Sequence, residues 1–159
     1  MKRFLPVLIL SLFIFACSKE ESVQHDVVGA WENVMRPSMG TSDAIDLTEY
    51  QIVTQIIFSE SASYSLDRFV QDPETHEVIG YLDRHIGNFS IEGNMVSLQY
   101  DWYSTIENDQ IQVVAVDDLE LLHAEQNRRR SYSFENGKLI LGCDYNENCV
   151  AVSHKRVKL

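Results

Sequence analysis

The chain is short of the residues that would assign it to several protein classes. Seven glycines and three prolines in 159 residues are too few for a collagenous or low-complexity protein. Three cysteines do not make a disulfide-dense scaffold. Positive charge is scarce: 13 Lys and Arg stand against 24 Asp and Glu, a formal net charge of −11. That balance excludes a general nucleic-acid binder, which needs cations to displace counterions from phosphates. There is no Gly-x-Ser-x-Gly elbow, phosphate loop or dinucleotide fingerprint, and no nucleophile stands near a plausible base, so an enzyme is not expected. The five histidines form neither His-x-Glu nor His-x-x-x-His spacing, and only His76 and His85 could approach across a hairpin. Asp144-x-Asn146-x-Asn148 opens like a calcium loop, but Cys149 and Lys155 occupy the positions that need Gly and Glu. No metal or cofactor is expected. What remains is a chain that is 45% hydrophobic and 10% aromatic, enough for the core of one domain.

Lys2 and Arg3 precede Phe4 to Ala16, an almost unbroken apolar run. It is shorter than the about 20 residues that cross a bilayer, and it ends at a small residue, as a signal peptide does. Ile14-Phe15-Ala16-Cys17 resembles the lipobox of bacterial lipoproteins. The resemblance implies cleavage after residue 16, a diacylglycerol thioether on Cys17 and a third acyl chain on its amine. Three chains bury far more methylene groups than marginal anchoring requires. Cleavage removes Lys2 and Arg3, leaving 11 basic against 24 acidic residues and a charge of −13. Residues 17–26 read as a lipidated cysteine and a polar tether. Ser18 is compatible with sorting to the outer membrane. Lys19-Glu20-Glu21 resembles the surface-export signal of lipoproteins of the Bacteroidota, so the membrane face stays open between periplasm and cell surface.

Residues 27–159 alternate with a period of two and show almost no helical spacing, which predicts strands. Gln51–Phe58, Tyr64–Val70 and Val78–His85 are strands, with Asp72-Pro73-Glu74-Thr75 as a turn. Phe89 and Ile91 lead through Glu92-Gly93-Asn94 to Val96, Leu98, Tyr100 and Trp102. Tyr132 and Phe134 lead through Asn136-Gly137 to Leu139 and Leu141, a hairpin signal because Asn-Gly accepts positive φ. Ile111–Val116 and Leu119–Leu122 are read as a further strand or pair around Asp117-Asp118, which with Glu120 make a solvated turn. Val150–Leu159 is the last strand, and Met35–Asp46 is a long loop at a barrel mouth. The expected fold is all-β: an antiparallel up-and-down barrel of about eight strands, closed so that no edge stays open.

Gly29-Ala30-Trp31 after a short tether, Gly87 to Asn94, and Tyr132 to Leu139 together resemble the bacterial lipocalin-like lipoproteins, over about Val27 to Leu159. The resemblance implies an internal cavity. It also implies that Trp31, following Gly29, packs across the closed end beneath Arg156 of the last strand. No long helical run precedes that strand, a departure from the lipocalin pattern.

Cys143 and Cys149, in an exported chain, are expected to form a disulfide that fixes a loop. Arg128-Arg129-Arg130 is read as a loop before the Tyr132 strand, able to contact an anion through its guanidinium forks. The expected ligand is a small hydrophobic or amphiphilic molecule, lined by Phe58, Tyr64, Leu98, Tyr100, Trp102 and Phe134. The alternative is a structural or interaction protein whose loops meet an envelope partner. The chain's other expected contact is the membrane, through the lipid on Cys17. Growth of an expressing bacterium on labelled palmitate should label this protein, and Cys17→Ser should abolish the label; labelling that survives the substitution would refute the anchor.

Overall fold

The computed structural model of the protein describes residues 26–37, 46–107, 109–143 and 150–158. The expected signal segment, Cys17, the expected tether up to His25, most of the Met35–Asp46 loop and Cys149 lie outside the described residues. Among the described residues ten strands dominate: β1 (Gly29–Met35), β2 (Gln51–Phe58), β3 (Ser63–Gln71), β4 (Val78–Glu92), β5 (Met95–Ser104), β6 (Ile106–Glu107), β7 (Gln110–Ile111), β8 (Glu120–Glu135), β9 (Lys138–Leu141) and β10 (Val152–Val157). Eight of them close an antiparallel barrel in the order β1-β2-β3-β4-β5-β8-β9-β10, and β6-β7 is a small hairpin set between β5 and β8. Each barrel strand thus pairs with its neighbour in the chain, which is up-and-down topology.

Local chemistry explains the turns. The Asp72 carboxylate accepts from the backbone N–H groups of Glu74 and Thr75, both at 2.8 Å, which locks the β3–β4 turn. Gly93 (φ +60°) closes β4 to β5, and Asn136 and Gly137 (φ +52° and +75°) close β8 to β9. Positive φ at both central residues matches the twist of the flanking strands.

Two segments depart from the sequence reading. The strand expected over Ile111–Val116 does not form. Only Gln110–Ile111 pairs, Val114 makes one bridge to Tyr81, and Val116–Asp118 is a 3-10 turn. Ile111 and Val113 instead pack on Val70, Leu82 and Leu47, a small second core at the end where β1 stops and β2 begins. β8 then runs sixteen residues without a break. Arg128, Arg129 and Arg130 therefore lie in a strand, opposite Leu98, Ser97 and Val96 of β5. Long stems can cover the sheet while the charged heads reach polar space, so three consecutive arginines do not break the ladder.

The main core lies at the other end, built from Val27, Trp31, Ile56, Phe58, Tyr64, Phe89, Val96, Leu98, Tyr100 and Leu139. Trp31 is 2% exposed, and its indole N–H donates to the Val27 carbonyl at 2.7 Å. Arg156 is its partner across the β1–β10 seam. The Arg156 guanidinium lies 5.2 Å from the indole centroid and donates to the Val28 carbonyl at 2.7 Å. Gly29 (φ +137°) permits this, because a Cβ there would sit 2.9 Å from the guanidinium. Gly87 meets the same demand inside the barrel. It faces Tyr64 on one side and Tyr100 on the other, and a Cβ would overlap the Gln99 carbonyl oxygen. We expect Gly87→Ala to lower unfolding stability by about 1–3 kcal/mol, as overpacking does, read as an earlier urea midpoint; an unchanged midpoint would mean that β4 and β5 do not need this close approach.

Candidate functional site

Between the two cores the barrel holds a cavity of about 410 Å³, within the range of small-molecule sites. Its apolar wall is formed by Ile56, Phe58, Leu66, Leu98 and Leu141, with the rings of Tyr64, Tyr100 and Trp102. Five of the six side chains expected to line a ligand site, Phe58, Tyr64, Leu98, Tyr100 and Trp102, are in this wall. Strand parity puts them there: Phe58 pairs Tyr64, Tyr100 and Tyr64 both face Gly87, and Trp102 pairs His85. Phe134 is not among the lining residues. It is 40% exposed and packs 5.7 Å from Trp31 and 6.1 Å from Tyr132 at the closed end, because β8 has carried it past the cavity.

Of the polar lining, sequence reasoning named only the arginine run, as an anion contact in a loop, and missed the rest. Arg68, Asp83, His85, Arg128, Arg130 and His154 all reach the cavity. Arg68 and Asp83 face each other across β3 and β4 in a fork-to-carboxylate ion pair, with Arg68 Nε 2.9 Å from Asp83 Oδ1. Asp83 is 1% exposed, so the pair satisfies a charge that would be very costly alone. His85 stacks on Tyr100 at 4.5 Å between centroids and meets the edge of Trp102 at 6.0 Å. Burial pushes its imidazole down to about 4, against weaker opposition from Asp83. Burial lowers His154 as well.

The arginine run divides by parity. Arg129 points outward and lies 3.5 Å from the exposed carboxylate of Glu92, a contact worth little in water. Arg128 and Arg130 point inward. Arg130 also donates to the Gly142 carbonyl at 3.4 Å. Arg128 is close enough for its charge to act on both Tyr64 and His85. Burial is nevertheless the larger influence on Tyr64 and raises its hydroxyl well above the ordinary phenol range. Three buried polar atoms have no hydrogen-bond partner among the described residues: the Tyr64 hydroxyl, the Trp102 indole N–H and Nδ1 of His154. All three residues line the cavity. Period-two parity in β8 would have found the inward arginines, had the run been placed in a strand.

β8 shapes the opening. Its register against β5 shifts on both sides of Trp102, and Glu125 takes φ +54° with its N–H donating to the Asp101 carboxylate at 3.0 Å. Such bulges bend a strand and re-aim its side chains. β9 pairs β8 only over Tyr132–Glu135, so the preceding part of β8 carries its ladder on the β5 side. Cys143 follows β9, while its expected partner Cys149 is outside the described residues. No group of three or more His, Cys, Asp or Glu among the described residues has the arrangement of a metal site.

Comparison of the chain with family models, curated proteins and solved structures finds no match. The site is therefore interpreted from its own chemistry.

The buried imidazole of His154 and the half-buried one of His85 make a pH dependence. The unfolded chain binds more protons than the folded one between the ordinary histidine value of 6.5 and about 4. Stability is then fully present above the upper value and is lost as the pH falls through this window. We expect the urea midpoint to drop across it, and His85→Phe, which keeps the ring stack but takes no proton, to flatten the upper part of the profile. Parent and variant curves of equal slope would exclude His85 as a source.

Proposed function

We propose that this protein is a lipid-anchored lipoprotein of the cell envelope whose barrel binds a small amphiphilic molecule. The observation that carries the reading is the space inside the barrel. Ten apolar side chains already form a packed core at the closed end, yet about 410 Å³ is left above it. An eight-stranded barrel either fills its interior with side chains or holds one small ligand, and here the side chains leave space. The wall is mostly apolar with a minority of convergent polar groups, which is how such sites bind a hydrocarbon and orient it.

The anchor belongs to Cys17 and the lipobox before it, with residues 18–26 as the tether. The outer membrane is the proposed location, on its periplasmic or outward face. Cys143 and Cys149 close a disulfide in an oxidising compartment. The lipocalin-like resemblance of Gly29-Ala30-Trp31 and the last-strand Arg156 supports the same reading, since their geometry seals one end and leaves the other for entry.

A second reading, an interaction protein that meets an envelope partner, draws on a different feature. Val34, Met35, Val78, Ile79 and Leu121 are all exposed, and the register places them around the open end. Exposed apolar side chains grouped in this way mark contact surfaces.

Organic extraction of the protein purified from envelopes, followed by mass spectrometry, separates the two. A covalent anchor stays with the protein, so an amphiphile recovered in stoichiometric amount supports the carrier. An extract without one, from a protein that also fails to bind a neutral hydrophobic fluorophore, refutes it and favours the contact surface.

A further inference from the structure

The polar groups that line the cavity are mostly donors. The lining carries three arginines and one aspartate, and that aspartate is taken by Arg68. Arg128 lines the cavity while staying exposed to solvent, and brings a positive charge to it in a chain whose net charge is −11. His85 is kept neutral by burial and adds no charge of its own.

The neutral groups repeat the pattern. Tyr64 is 3% exposed, and its buried hydroxyl has no partner among the described residues. The Trp102 indole N–H, a donor only, is in the same state. Among the described residues Arg128 is in no ion pair, and it acts electrostatically on Tyr64 across the cavity. A buried donor without an acceptor costs free energy in the empty protein. An acceptor brought by a ligand removes that cost at the moment of binding.

We propose that the cavity takes a single-chain amphiphile with an anionic head, a carboxylate or a phosphate monoester. Arg128 and the Tyr64 hydroxyl bind the head, Trp102 supplies a further donor, and Leu66, Leu98, Phe58 and Ile56 hold the hydrocarbon. This inference rests on the carrier reading and adds the sign and place of the head group. A guanidinium fork presents two parallel donors to such a head. Tyr64 adds a neutral donor that works best when screened from water, and its place in the main core provides that screening.

The test is calorimetric titration of the full chain, held in amphipol, with dodecanoate, dodecyl phosphate and dodecanol. At least one acid should bind about tenfold or more tightly than the alcohol, the gap expected for one hydrogen bond to a charged group; which acid binds better assigns carboxylate or phosphate. Arg128→Gln should remove most of that gap and leave dodecanol unaffected, and Arg128→Lys should restore part of it. Tyr64→Phe should also weaken the acids selectively. Because its hydroxyl has no partner to lose, that variant should unfold no earlier than the parent, which separates a binding role from a structural one. Equal affinity for acids and alcohol would overturn the head-group assignment and leave the carrier reading standing. If none of the three binds, the carrier reading itself fails.

Discussion

The barrel depends on its shortest seam. β1 and β10 pair through only three residues, Ala30, Trp31 and Glu32 against Val157, Arg156 and Lys155, whereas β4 and β5 pair through ten. These two strands are almost the full chain apart, so their contact carries the largest loop-closure cost in the fold and comes with few ladder bonds. Side chains supply what the backbone does not. Trp31 is tied to the Val27 carbonyl, Arg156 covers its ring and reaches the Val28 carbonyl, and Gly29 lets the guanidinium come close. An arginine over an indole contributes roughly 0.5–2 kcal/mol by itself. Without this latch the barrel would be an open sheet with two free edges, and the cavity would have no enclosing wall.

Closure also explains how a charged interior is tolerated. The Arg68–Asp83 pair lies where β3 and β4 slip register, next to Leu82 and the second core. Asp83 is fully desolvated while Arg68 keeps partial access to solvent, with 39% of its side chain exposed. An ion pair of this kind seldom adds net stability, but losing one partner is expensive. It therefore fixes the β3–β4 register more than it strengthens the fold. With Asp83 engaged by Arg68, no other carboxylate is among the lining residues, and Arg128 has no ion pair among the described residues.

Much of the architecture could be read from the sequence, because its signals are local. Asn136-Gly137 and the Gly93 turn set two hairpins, and alternation along β2, β3 and β5 set which residues face inward. The failures have separate causes. β8 is polar on both faces from Glu125 to Ser131, so alternation disappears and composition suggests a loop. Its strand character comes from β5, whose ten residues supply a partner ladder from far along the chain. Phe134 has the expected parity but the wrong height along the barrel, a quantity that alternation does not encode. Ile111–Val116 alternates like a strand, yet its residues serve as a lid over Val70 and Leu82 rather than as a ladder.

A cavity is the property least visible in a sequence, since inward aromatic residues fill a barrel as readily as they line a site. Here the lining follows from how the strands meet. Gly87 lies between Tyr64 and Tyr100 and lets the β5 backbone come close to β4, and the two rings pack edge-on against each other at 6.2 Å. β9 contributes only four residues and pairs β8 from Tyr132 onward, so Arg128 has no β9 residue opposite it and stays exposed while lining the cavity. The Tyr64 hydroxyl and the Trp102 indole N–H are buried without a partner among the described residues, and Arg128 lines the same space. Together they set donors against hydrocarbon, which is the arrangement the proposed amphiphile uses.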